Sequence, residues 1–566
     1  MLVAAVAAAA TLSAAGRVQF TDVTASSRLT FTHVSGASGR FYYIEEWGSG
    51  AAFLDYDGDG WLDIFLGQGG VLPGYTRSAP VGNRLFRNNH DGTFTDVTVD
   101  AGLVSGRYTL GAATADYDND GHPDLFITTL QGNVLYHNDG HGHFVDVTAH
   151  AGVQGVAMST SAAFVDYDGD GRLDLFVARY RDYDIKTDRG CEVPDFGMRP
   201  PNTPPRIAYC GPATPGVASR LYHNDGNGVF SDVTAKSGVG RALARGLGVA
   251  VADYNEDGRP DIFVASDGLP NLLLMNNGDG TFTDRALTAG VAVGEYGVAY
   301  AGMGVDAADY DNDGHIDLVV TNYENQPASL FRNRGDGTFD DVSRTSGVTP
   351  LVWPFMKWGV RLLDFDGDGL KDLFVANGQI YPDVSIASTL GAPLPDQVRK
   401  GYAQEPQLLL QQPKGSFVDA SRQAGPGLAQ KRVGRAAAFA DIDNDGDWDV
   451  LLAGIDGPVA LLRNDTAAGR WARLELEGDG CNRDAIGAII RITTGDLTQT
   501  MLVQSGDSYL SDHDHRVLAA LPGTAPATAE IRWPCGSTER VTITPNRTQH
   551  VREAACRLRK AGAGSR

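Results

Sequence analysis

The sequence is short of positive charge. Its 566 residues hold 47 Lys and Arg against 70 Asp and Glu, a formal charge of -23. A chain so charged repels nucleic-acid phosphates and anionic head groups, so nucleic acid is excluded as a partner and cations are the natural ones. Long hydrophobic runs are also missing. The apolar stretch in residues 1–16, MLVAAVAAAATLSAAG, falls short of the ~20 residues a membrane span needs. It ends in small residues and reads as a secretory signal without a basic leader, which predicts an extracellular or periplasmic protein with no membrane span after signal removal. Cysteine is scarce: Cys191 and Cys210 bracket a Pro-rich insertion, Cys481 and Cys535 fall near the C-terminus, and Cys556 lies in a basic tail. In an exported protein each couple could pair, or all five could remain thiols. No nucleophile elbow, Gly-rich phosphate loop, dinucleotide fingerprint or zincin helix occurs, which removes those mechanisms and no others.

What is abundant is glycine, 70 residues, and much of it belongs to a repeat. A nine-residue pattern, Asp-x-Asp-x-Asp-Gly-x-x-Asp, recurs seven times. Positions 1, 3, 5 and 9 are Asp55, Asp57, Asp59 and Asp63 in the first copy, then Asp116, Asp118, Asp120 and Asp124, then Asp166, Asp168, Asp170 and Asp174. The fourth copy has Asp253, Asn255, Asp257 and Asp261, and the fifth Asp309, Asp311, Asp313 and Asp317. Asp364, Asp366, Asp368 and Asp372 follow, and Asp441, Asp443, Asp445 and Asp449 complete the set.

A Gly/Ala-rich segment precedes each copy and a strand-length apolar run such as DLFITTL follows. In six copies there comes next an apolar strand ending in Asn, a Gly-rich turn, and Phe-x-Asp-Val-Thr, as in LYHNDGHGHFVDVT. Each unit therefore predicts four antiparallel strands, and seven such units predict an all-β, seven-bladed β-propeller over residues 17–465. The seventh unit lacks its Phe-x-Asp-Val-Thr, whereas Phe20–Thr24 has the pattern with no unit of its own. The N-terminal strand is therefore expected to complete the last blade. Residues 466–555 are expected to form a separate small β domain, followed by the basic tail 556–566.

Carboxylates at positions 1, 3, 5 and 9 of a tight turn, with Gly at 6 and a carbonyl at 7, converge on the six to eight oxygens that Ca²⁺ takes. Up to seven Ca²⁺ are expected, the fourth site weakest because Asn255 removes a charge. Read blandly, the same residues are only surface turns, but that leaves the ninth Asp without a reason.

At these loops the chain resembles the FG-GAP or VCBS repeats of integrin-α-like propellers. Residues 471–551, with WARLELEGDGCNRDAIGAIIRI and QSGDSYLSDHDHRV, resemble the ASPIC/UnbV domain, and the combined order resembles the cartilage acidic protein family. That resemblance implies an extracellular calcium-binding protein with no established reaction. Cys481 and Cys535 stand where small residues are expected from the family, which suggests that they form a disulfide.

Alternating strands put the Asp loops on one face and the insertions at 67–83, 179–219 and 377–406 on the other. That second face gathers Glu45, Trp47, Tyr180, Tyr300, Tyr323, Trp358 and Tyr381, which are expected either to bind a glycan, extracellular protein or small ligand or to plug the channel. The chain thus reads as a binding, adhesion or scaffold protein, with no catalytic residue assigned. A catalytic propeller is the second reading: a polysaccharide lyase, a hydrolase or a natural-product tailoring enzyme, with Glu45 and Glu46 or Glu295 and Glu324 as its paired carboxylates. His137, His141 and His143, and His513 with His515, are the only histidine clusters.

Overall fold

The structure, a computed structural model, describes residues 18–554 apart from 49, 77–81, 157, 193–204, 206, 212–213, 382–400 and 468. The expected signal segment 1–16, the tail 556–566 and Cys556 lie outside the described residues.

Seven four-stranded antiparallel sheets follow one another along the chain. Blade 1 is Ala51–Leu54, Asp63–Leu66, Arg84–Asn88 and Phe94–Asp96. The innermost strands of the next five blades are Thr109–Ala115, Ser159–Val165, Gly246–Ala252, Gly302–Ala308 and Lys357–Leu363. In the last blade Gly434–Ala440, Asp449–Gly454 and Ala460–Asn464 are joined by Phe20–Asp22, with Phe20 opposite Asn464 and Asp22 opposite Leu462. Consecutive innermost strands pack against each other all the way round, the seventh against the first. Their small residues are explained by crowding at the centre. A Cβ on Gly111 would lie 2.6 Å from the Thr160 carbonyl of the next blade, and one on Gly248 would lie 2.7 Å from that of Met303.

Neighbouring blades are held by a latch that uses the recurring letters of the repeat. The aromatic at loop position 2 packs on the Phe of the next blade's outermost strand: Tyr117 on Phe230 at 5.6 Å, Tyr254 on Phe339 at 6.0 Å, Phe365 on Phe20 at 5.9 Å. Beside it, the Asn ending the next blade's third strand donates to the backbone carbonyl of the same position-2 residue. Asn138 reaches Tyr56 at 2.8 Å, Asn333 reaches Tyr254 at 2.9 Å, and Asn88 reaches Ile442 at 3.0 Å across the closure. These are buried amides, so losing one leaves a carbonyl without water or partner.

The C-terminal strands form a three-stranded sheet, Val517–Ala520, Trp471–Glu477 and Thr548–Arg552, and a four-stranded sheet, Leu497–Leu502, Ile489–Thr494, Ala527–Arg532 and Thr538–Ile543. Their apolar faces, including Leu474, Ile490, Ile531 and Trp533, share one buried cluster with blades 2 and 3. The domain therefore does not stand apart from the ring.

Between Leu502 and Val517 the chain leaves these sheets and enters the propeller's centre. There it meets all seven innermost strands: Asp512 N–H donates to Ala51, Ala112 N–H to Leu510, Leu510 N–H to Ser161, Asp507 N–H to Val249, Ser508 N–H to Val305, Val360 N–H to Ser508 and Asp514 N–H to Phe439. The segment satisfies backbone groups that the innermost edges of the blades would otherwise leave open.

Candidate functional site

Each Asp loop is first a piece of hydrogen-bonded scaffolding. The carboxylate at position 1 accepts from the backbone of positions 5 and 6, as Asp55 does from Asp59 at 3.0 Å and Gly60 at 2.8 Å. The ninth Asp is buried in every copy and bridges two strands: Asp63 accepts from Tyr56 N–H at 3.1 Å and from Asn88 N–H at 2.7 Å, and Asp317 does the same with Tyr310 and Asn333. These bonds give the ninth Asp a role in the fold whatever else it does.

They do not account for the middle of the loop. The Oδ1 atoms of the third-position Asp311, Asp366 and Asp443 are buried without a hydrogen-bond partner, as are both carboxylate oxygens of Asp447, an extra acid at position 7 of the last loop. Atoms of Asp55, Asp57 and Asp63, and of Asp116, Asp118 and Asp124, converge within 4.8 Å. Burial pushes Asp63 up to about 9, Asp116 to about 8, Asp366 to about 7 and Asp447 to about 11, and neighbouring loop carboxylates push in the same direction. Such a crowded set of converging hard oxygens fits a divalent cation of the Ca²⁺ type.

The loops are not equivalent. In the fourth, Asn255 donates to Asp257 at 2.8 Å instead of offering a carboxylate. In the second, third and fifth blades the third strand also projects a charged or titratable side chain onto the loop, from the position before the latch residue. His137 lies 3.1 Å from Asp124 and His223 lies 3.2 Å from Asp168, while Arg332 bridges Asp311 at 2.8 Å and Asp313 at 2.7 Å. The sequence carries this signal in LYHN and LFRN, where the histidine or arginine immediately precedes the latch asparagine. His141 and His143 stay in an exposed turn, so the expected cluster with His137 is not formed around a common centre.

On the other face, the residues expected as a ligand surface are mostly interior. Glu45, Trp47, Tyr180, Trp358 and Tyr381 are buried, and only Tyr300 and Tyr323 are half-exposed. Trp47 meets Tyr180 edge to face at 4.4 Å, and Trp358 meets Tyr509 of the central segment at 5.0 Å. The aromatics close the end of the channel, as the plug reading expects, and burial removes most of them from contact with a ligand. The paired acids are buried or engaged: Glu45 and Glu46 are buried, Glu295 pairs with Arg344 at 2.8 Å, and Glu324 accepts from Gln379 at 2.7 Å.

Cys191 and Cys210 form a disulfide. The pairing of Cys481 with Cys535 does not occur. Cys481 is a buried free thiol that donates to Glu553 at 3.2 Å, and Cys535 is disulfide-bonded. Glu553 fills the space between the two cysteines and also accepts from Ser537.

The C-terminal domain docks on the Asp-loop face through charged residues. Arg473 pairs with Asp441 and Arg532 with Asp253, each at 2.7 Å, and Asp484 accepts from Asp116 N–H at 2.6 Å.

Fold and loops together define a seven-bladed propeller of Asp-loop repeats whose channel is filled by its own C-terminal domain. The chain belongs to the FG-GAP-like repeat proteins, matched at residues 55–127, 116–177, 212–264, 253–320 and 309–375. Residues 478–557 match the ASPIC and UnbV family. Among curated proteins it is similar to human Cartilage acidic protein 1, 26% identical over 54% of this chain and 43% of the relative. The mouse protein of that name is 32% identical over 28% of this chain and 25% of its own length. The chain thus spans less than half of the curated relatives it matches. Among solved structures, an Agrocybe aegerita lectin described as recognising non-reducing terminal N-acetylglucosamine aligns with a TM-score of 0.36 and 18% identity, over 66% of this chain and 80% of that one. A rhamnogalacturonan lyase of Bacillus licheniformis aligns at 0.34 and 14%, over 79% and 75%. No helix among the described residues is long and apolar enough to cross a membrane.

Proposed function

We propose that this chain is an exported, calcium-loaded scaffold: a propeller whose Asp loops bind up to seven Ca²⁺ and whose C-terminal domain locks the ring while presenting a ligand-binding surface. The observation that carries the calcium reading is the set of buried, unpartnered third-position oxygens at Asp311, Asp366 and Asp443. Buried polar atoms are normally satisfied, and a bound cation supplies what the protein does not. The calcium here is structural. It ties positions 1, 3, 5 and 9 of each hairpin to the third strand that latches the neighbouring blade, so its loss loosens the ring before it affects recognition.

The test is calcium stoichiometry by equilibrium dialysis together with thermal melts in calcium and in chelator. Several ions per chain and a melting temperature lowered by chelation are expected. A chain that binds none and melts unchanged overturns the reading.

A further inference from the structure

Where the C-terminal domain sits on blades 1 and 2 it leaves a cleft of about 410 Å³, walled on one side by Asp55, Gly58 and Gly60 of the first loop and on the other by Arg483 and Asp484. Its floor is made by the central segment, with His513 and His515 both lining it. The volume lies in the range of small-molecule sites.

The floor is built around Asp512. This fully buried carboxylate accepts from Thr114 N–H at 2.5 Å, Thr114 Oγ1 at 3.1 Å, Gly506 N–H at 3.0 Å and His513 N–H at 2.9 Å. Its Oδ1 also holds His515 Nε2 at 3.2 Å, which orients that imidazole and leaves Nδ1 without a hydrogen bond among the described residues. His513 is oriented the other way: its Nδ1 accepts from Phe439 N–H at 3.2 Å, so Nε2 carries the proton, and this buried atom has no partner. Asp484 is engaged through Oδ2 by Asp116 N–H.

The permanent charges around the cleft are largely cancelled. Arg516 is paired with Asp514 at 2.7 Å, Arg483 with Glu477 at 3.0 Å and His550 with Glu475 at 3.2 Å. An anionic ligand would meet Asp484, and a cationic one would meet Arg483 and Arg516. What remains is an unpartnered N–H donor on His513 and another on His515, which burial would discharge but Asp512, Asp484 and Asp514 hold protonated, up to about 9, beside the acceptor oxygens of Asp484. Hydroxyl groups, each both donor and acceptor, match that alternation.

We propose that this cleft binds a neutral polyhydroxylated ligand of about one sugar ring, with His515 and Asp484 as its principal contacts. The site lies on the Asp-loop side, opposite the aromatic face that the sequence points to, and it exists only because two domains meet there.

Ligand-observed NMR on the full chain in calcium, with methyl glycosides of glucose, galactose, mannose and N-acetylglucosamine as probes, tests it. At least one glycoside is expected to bind, with affinity about tenfold weaker or worse in His515→Gln and in Asp484→Asn. Tyr296→Ala, exposed on the opposite face, should bind as the parent does. Melting temperature and calcium content of each variant separate loss of the cleft from loss of the fold or of the second loop's ion. Absence of binding by every probe overturns the proposal, as does affinity unchanged in both folded cleft variants.

Discussion

The hydroxyl of Tyr509 lies 3.2 Å from the backbone carbonyl of Trp47. Residues 462 positions apart meet there, one at the tip of a segment from the C-terminal domain and the other on the far face of the propeller. The contact shows how deeply the two parts are joined: the segment passes through the ring and ends under the aromatic cluster.

Replacing Tyr509 with Ala should therefore destabilise the propeller itself. The side chain is fully buried, and removing a buried aromatic of this size costs about 3–5 kcal/mol. Chemical denaturation should show one transition for both domains, shifted by that amount. Two separate transitions would mean that the plug is not mechanically coupled to the ring.

Deleting residues 18–24 removes the outer strand of the seventh blade and opens the ring, with Phe20, fully buried on Phe365, as its largest loss. Phe20→Ala alone should cost about 3–5 kcal/mol. The deletion should lower the melting temperature of the whole propeller, and an unchanged melt would refute ring closure by this strand.

The latch gives a local test. Asn333→Ala leaves the Tyr254 and Ile316 carbonyls, now bonded at 2.9 Å each, without their donor, and should cost about 1–3 kcal/mol. Asn277→Ala, one position after a latch asparagine and facing solvent with bonds only to Thr281 and Thr283, should cost much less in the same urea titration.

The pH dependence of the metal-free protein has a defined sign. Burial raises Asp443 to about 6, Asp366 to about 7, Asp116 to about 8 and Asp63 to about 9 from an ordinary value of 3.8. Groups with raised folded-state values contribute stability that is fully present below their unfolded value and lost as pH rises through the folded ones. In chelator, melting temperature should thus fall from pH 5 towards pH 9. Added calcium, which takes the ionised form, should stabilise most at the alkaline end. A metal-free protein that grows more stable across that interval would contradict the assignment.

Much of this molecule is legible before it is folded. The blades follow from a repeat in which every letter has a mechanical task, and ring closure follows from the displaced Phe-x-Asp-Val-Thr at residue 20. The latch is legible only in part: Asn, replaced by Gln411 in the sixth unit, and Phe stand out along the repeat, but their partners lie in the adjacent blade, and periodicity reports spacing along the chain rather than contacts between repeats. The central segment is harder still. QSGDSYLSDHDHR occurs once and reads as a polar loop of the small domain, and nothing local announces that seven strands will bond to it. Whether the aromatic face is open or plugged is not legible locally for a related reason, since Tyr509, the residue that packs on Trp358, arrives from about 150 positions downstream. The Cys481–Cys535 pairing does not form because Cys535 is already disulfide-bonded, which leaves Cys481 to donate to Glu553.

The filled channel also bears on how such a protein can change over generations. Repeat rings ordinarily gain or lose a blade by duplication or deletion of one unit, because each unit touches only its neighbours. Here the axle has a contact for each of seven spokes, and Ser508 alone reaches Val305, Val360 and Ala437 in three of them. A ring of six or eight would find the axle out of register, so the blade number is fixed by a segment that belongs to no blade.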